Sequence, residues 1–91
     1  MTAAQITIQP SGGSAYRVTV KQGPRETTHE VTVTPDDVRR YAPESTAERL
    51  LEASFAFLLE REPASAILSR FALPVIEQYF PEYPHEIRHL V

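Results

Sequence analysis

The chain has no cysteine among its 91 residues, and its longest unbroken apolar run is the short stretch from Phe55 to Leu59. Without cysteine, neither a disulfide scaffold nor a cysteine-bound zinc site can form, which agrees with a cytoplasmic protein. An apolar run of this length is far too short to cross a bilayer. The start, Met1 to Gln5, lacks the basic region and the apolar core of a secretion signal. We therefore expect a cytoplasmic location and no membrane partner.

Length and charge predict one domain with two unlike halves. Hydrophobic residues make up 42% of the chain, enough to build one core at this length, so we predict a single domain over residues 1–91. Residues 1–34 carry three basic and two acidic side chains, whereas residues 35–91 carry six basic and ten acidic ones. The second half therefore has a net charge of −4 and is poorly suited to bind phosphate groups.

The first 34 residues alternate between apolar and polar side chains, as expected where side chains point to opposite faces of a sheet. This period predicts strands near residues 4–9, 15–21 and 27–34. In the third run, His29 lies on the apolar face with the neighbouring valines, and we expect it to be packed and hydrogen-bonded. Short connections rich in glycine and proline favour an antiparallel meander over parallel crossovers.

The pattern changes to helical spacing at Thr34. Threonine, proline and two aspartates in succession are typical of a helix start, which predicts a helix over residues 35–41. The sequence from Ser45 to Glu48 matches a capping box and opens the main core helix over residues 46–61. Further apolar spacing predicts helices near residues 64–71 and 74–80, and a last helical turn over Pro84 to Leu90.

Strands followed by helices favour an α+β fold in two layers. We predict a three-stranded antiparallel meander (residues 1–34) packed on one face by three to four helices (residues 35–91). The centre of the predicted core combines three side chains of the long helix with four strand valines, namely Leu51, Phe55, Leu58, Val18, Val20, Val31 and Val33.

The segment from Ala66 to Tyr83, together with the preceding Leu59 to Pro63, resembles the end of a family of small bacterial proteins that carry an ILxRFxLxVIxxYFPEY-like sequence. No activity is known for that family. The resemblance therefore implies a small bacterial protein and supplies no catalytic or ligand-binding residue.

His85 to His89 spells the H-E-x-x-H zinc signature, in which two histidines bind the metal and the glutamate, here Glu86, acts as general base. Only two residues follow His89, so a third ligand would have to come from upstream, for instance from His29. A turn at the end of the chain gives such a site little support. We predict no catalytic residue, no cofactor and no metal site, and His85 and His89 remain weak metal candidates.

Residues 66–80 also allow a helix-turn-helix interpretation, with Phe71 to Leu73 as the tight turn. The recognition helix would then be Pro74 to Phe80, which contains no basic residue. Because attraction to phosphates dominates DNA affinity, nucleic acid is a disfavoured partner. A nucleic-acid-binding regulatory protein is kept as the alternative function, and the apolar residues of this segment, Leu68 among them, are expected to build the core instead.

Three aromatic side chains and two prolines alternate over Tyr79 to Pro84. Such a stiff aromatic segment suits either a protein contact through Tyr79, Phe80 and Tyr83 or a turn that fixes the chain onto its own core. The leading hypothesis is a non-catalytic cytoplasmic interaction or accessory domain that binds an unknown protein or self-associates. A zinc hydrolase acting through residues 85–89 is a distant third.

Overall fold

The computed structural model describes residues 4–91. Residues 1–3, on which part of the expectation about a secretion signal falls, lie outside this range. In chain order the elements are β1 (Gln5–Gly12), β2 (Ala15–Gln22), β3 (Arg25–Thr32), α1 (Pro35–Tyr41), α2 (Ala47–Leu59), a 3₁₀ turn (Ala64–Ala66), β4 (Arg70–Ala72), α3 (Val75–Tyr79) and α4 (Tyr83–Leu90).

The strands form one sheet in the order β1-β2-β3-β4. The first three are antiparallel neighbours, which confirms the predicted meander. Between β2 and β3 the chain reverses through Gly23 and Pro24, and Gly23 has a φ of 61°, a conformation that favours glycine. The fourth strand was not predicted, and it runs parallel to β3.

The helices pack on one face of the sheet, so the predicted two-layer α+β fold is confirmed. Alternation along the strands turns their apolar side chains toward α2, whose apolar face closes the core from the other side. All seven side chains predicted at the centre of the core are at most 3% exposed.

The helix caps explain where α1 and α2 begin. The main-chain N–H of Thr34 donates to Asp37 Oδ2 over 2.9 Å, and the Asp37 N–H donates to Thr34 Oγ1 over 3.2 Å. This capping box starts α1 as predicted. The capping box predicted for α2 at Ser45 is wrong, because Thr46 is still extended and accepts the Arg49 N–H instead. The long helix therefore begins at Ala47.

The helix predicted over residues 64–71 is wrong. A single 3₁₀ turn ends at Ala66, Ile67 is extended, and the chain then enters β4. Two main-chain bonds fix this path: Glu30 N–H donates to the Ser69 carbonyl over 2.8 Å, and Leu73 N–H donates to the Thr32 carbonyl over 3.0 Å. Pairing with β3 gives the main-chain N–H and carbonyl groups of this segment hydrogen-bond partners. This gain outweighs the helical spacing of the apolar side chains in the segment.

This correction removes the helix-turn-helix from residues 66–80, because a strand precedes α3 where the first helix was expected. The helix predicted over residues 74–80 is present as the five-residue α3. The predicted last helical turn is present as the longer α4, which buries Tyr83 and Ile87. None of the helices formed by residues 4–91 combines the length and the apolarity that crossing a membrane requires.

Candidate functional site

An apolar groove opens between the end of α2, the extended segment before β4, and α3. Its volume is about 120 Å³. The floor is built from buried side chains, among them Ile67, Phe71 and Ile76. Leu68 and Tyr79 line the groove and are 46% and 66% exposed. Large apolar side chains at the mouth of a groove are typical of a surface that contacts another molecule.

A buried histidine fixes the Leu68 side of the groove. His29 Nδ1 donates to the Leu68 carbonyl over 2.8 Å, and Nε2 lies 2.9 Å from Thr27 Oγ1. Because a carbonyl only accepts, Nδ1 carries a proton, and a neutral ring accepts at Nε2 from the threonine hydroxyl. The ring also packs against Phe55, at 5.3 Å between centroids. His29 is thus the packed, hydrogen-bonded histidine that the sequence predicted.

The three aromatic residues predicted as a partner contact lie in three different environments. Tyr79 is exposed, Phe80 is half-buried, and Tyr83 is fully buried. Phe80 packs edge-on against Phe57, whose ring also packs against Tyr83. Tyr83 therefore fixes the segment onto the core, whereas the side chain of Tyr79 is exposed to solvent.

Tyr83 is held by a chain of buried hydroxyl groups. Ser54 Oγ donates to the Leu50 carbonyl over 2.6 Å, so the Tyr83 hydroxyl must donate its own proton to Ser54 Oγ, also at 2.6 Å. Burial raises the pKa of Tyr83 well above its usual range. The side chain therefore stays neutral, and it offers no surface to a partner in this conformation.

A second buried tyrosine connects α1 to α3. The Tyr41 hydroxyl donates to Glu77 Oε1 over 2.8 Å, and Arg40 approaches the same oxygen at 3.3 Å. Burial and the hydrogen bond to Glu77 raise the pKa of Tyr41 to about 12. This bond holds the polar side of α3 against the domain, so that the opposite side of α3 faces the groove.

Glu62 is the one charged side chain among the residues that line the groove. It is half-buried, and it has no ion-pair partner within residues 4–91. A carboxylate beside an apolar groove is stabilised when a positively charged group binds next to it.

The H-E-x-x-H sequence lies on α4, away from the groove. His85 and His89 are exposed, with ring centroids 5.1 Å apart, while Ile87 between them is buried in the core. Within the described part of the chain, no group of three or more histidine or carboxylate side chains is placed to hold a metal ion. The two imidazoles on α4 therefore lack the third protein ligand that a catalytic zinc site uses.

The outer face of the sheet mixes charges of both signs. The register places Lys21 opposite Glu26, and Glu30 between Arg17 and Arg70. Each acidic side chain offsets the attraction that its basic neighbours would exert on a phosphate backbone. Within residues 4–91, this face therefore has no continuous positive stripe for nucleic acid to follow.

Sequence reasoning missed two features of the groove. Leu68 was expected in the core and is exposed, because the chain is extended where a helix was predicted. Glu62 was not singled out at all. The alternation from Arg70 to Leu73, with Phe71 and Leu73 buried, is the trace that the strand leaves in the sequence, and it is too short to indicate a strand by itself.

No family model, curated protein or solved structure was found to match this chain.

Proposed function

We propose that this chain is a small, non-catalytic interaction domain that binds a protein partner through the groove between α2 and α3. The observation that carries the proposal is the exposure of Tyr79 and Leu68 together at the mouth of an apolar groove. A tyrosine that frames a pocket is a common anchor of protein interfaces, since it contributes a large contact area at low entropic cost.

Hydrogen bonds to the core hold two walls of the groove in place, which supports a groove that is formed before a partner binds. His29 holds the main chain of Leu68 from below, and Glu77 is held by Tyr41 on the far side of α3. Rigid elements on two sides lower the ordering cost of binding.

The positions of the chemically reactive side chains support a non-catalytic role. His29 is buried and engaged at both ring nitrogens, and Asp37 caps α1. The two histidines of α4 lie outside the groove. The proposal includes a cytoplasmic location, for which the lack of cysteine is the support.

Site-specific photo-crosslinking tests the proposal. A benzophenone side chain replaces Tyr79 in one variant and Leu90 in the control, since Leu90 is an exposed apolar residue of α4 outside the groove. In extract of the native host, we expect a defined adduct with another protein from position 79 and none from position 90. Adding Leu68→Asp should suppress the position 79 adduct. Adducts of equal yield from both positions, or from neither, would contradict the proposal.

A further inference from the structure

Resting on the proposed function, we infer that the partner enters the groove as an extended segment, which pairs with the free edge of β4 and carries an aliphatic side chain and, two residues away, a basic one. Three features of the described residues support this partner: the unpaired edge of β4, the size of the groove, and the charge of Glu62.

The first feature is the edge of the sheet. β4 is the last strand in the sheet order, and β3 is its one neighbouring strand in the described part of the chain. Ser69 and Leu73 direct their bonded main-chain groups toward β3. Since alternate residues of a strand point their main-chain groups to opposite sides, Arg70 and Ala72 direct theirs outward, away from β3. An extended segment can pair with these groups and add a fifth strand.

The second feature is the groove beside that edge. A side chain of the added strand that lies opposite Phe71 would point to the same face of the sheet as Phe71, which lines the groove. An apolar cavity of roughly 150 Å³ is known to take up benzene. A groove of about 120 Å³ therefore has room for one aliphatic side chain of the size of leucine.

The third feature is charge. Among the described residues, Glu62 is the one charged residue that lines the groove, and the half of the chain that contains it, residues 35–91, has ten acidic against six basic side chains. An arginine or lysine of the partner, two residues away from the aliphatic side chain, would point to the same face of the added strand and pair with Glu62. A partner with an acid at that position would be repelled.

The test uses an array of synthetic extended peptides, in which one central position varies over apolar residues and the position two residues away is arginine, alanine or glutamate. We expect the protein to prefer a central leucine or isoleucine, and arginine over glutamate by roughly tenfold, which corresponds to about 1.4 kcal/mol. Glu62→Lys should reverse the charge preference. Glu52→Lys, an equal change at an exposed position of α2 outside the groove, should leave it as it was.

N-methylation of single peptide bonds tests the pairing with β4. Because alternate amides of an added strand face β4, we expect methylation to abolish binding at every second position and to be tolerated between them. Loss at every position of a continuous stretch would show a bound helix, whose own hydrogen bonds use these N–H groups, and no loss at any position would show docking through side chains alone. Either result overturns the inference, as does an array without binding.

The two proposals fail separately. If the crosslinked adduct at position 79 forms and the array shows no alternating sensitivity, the groove is an interface and the extended partner is wrong. If no adduct forms while the peptides bind with the expected pattern, the groove binds extended segments, and the proposal that a protein in the extract occupies it is wrong.

Discussion

The imidazole of His29 holds the main chain of Leu68, 39 residues further along the chain, through a hydrogen bond of 2.8 Å from Nδ1 to the carbonyl oxygen. One side chain of the buried sheet face thereby fixes the segment that forms a wall of the groove. This polar contact thus connects the core to the candidate binding surface.

Replacing this histidine should loosen the wall of the groove. In His29→Leu the Leu68 carbonyl and the Thr27 hydroxyl lose their partner, so we expect the free energy of unfolding to fall by about 1–3 kcal/mol. Urea denaturation measures the loss. The amide of Glu30, which donates to Ser69, should exchange hydrogen faster.

Thr28→Val is the matched control, because Thr28 lies on the same strand and is exposed. It should change the stability by no more than about 0.5 kcal/mol. Equal losses in the two variants would show that the contact with Leu68 has no special role.

Two tyrosines of one segment should respond differently to the same change. Tyr83→Phe removes the buried hydroxyl that donates to Ser54, and we expect a loss of about 0.5–1.5 kcal/mol in the free energy of unfolding. Tyr79→Phe alters an exposed side chain and should leave the stability within about 0.5 kcal/mol. Denaturation of both variants under one condition makes the comparison, and the reverse order would refute the burial assigned to them.

Alkaline pH should destabilise the domain through its buried tyrosines. Burial raises the pKa of Tyr41 from 10.0 to about 12, so the folded state binds a proton that the unfolded state has released within this window. The stabilising effect is complete below about pH 10 and is lost as the pH rises toward 12. Unfolding free energies measured across this range should fall, and less steeply in Tyr41→Phe. The same slope in that variant and in the parent chain would contradict the assignment.

Zinc should bind the α4 histidines only weakly. Two exposed imidazoles without a third protein ligand release metal readily. We expect dialysis to remove added zinc from the protein, and the Glu86→Gln variant to behave like the parent chain. Stoichiometric zinc that survives dialysis, with a peptidase activity that Glu86→Gln abolishes, would reverse this interpretation.

Strong local signals made most of the fold predictable from sequence. Alternation over the first three strands determines which face is buried, and the Thr34 cap determines where the helices start. In these segments, the local preference and the tertiary packing favour the same structure.

The fourth strand could not be read in the same way. Arg70 to Ala72 is too short to show a period, and its pairing with β3 depends on residues forty positions earlier, such as Glu30 and Thr32. The groove depends on that strand, so its position could not be predicted either. Exposure of Tyr79 and burial of Tyr83 likewise follow from how α3 and α4 pack, which the alternation of aromatics and prolines does not specify.

Leu68→Asp tests the central claim most directly, because it places a charge at the mouth of the groove and leaves the buried floor intact. Leu90→Asp is its matched control, since both leucines are 46% exposed. With the partner identified by crosslinking, calorimetric titration should show that Leu68→Asp weakens binding by roughly tenfold or more, about 1.4 kcal/mol, and that Leu90→Asp leaves it unchanged. Unchanged binding by Leu68→Asp, in a protein that stays folded, would show that the groove is not the interface.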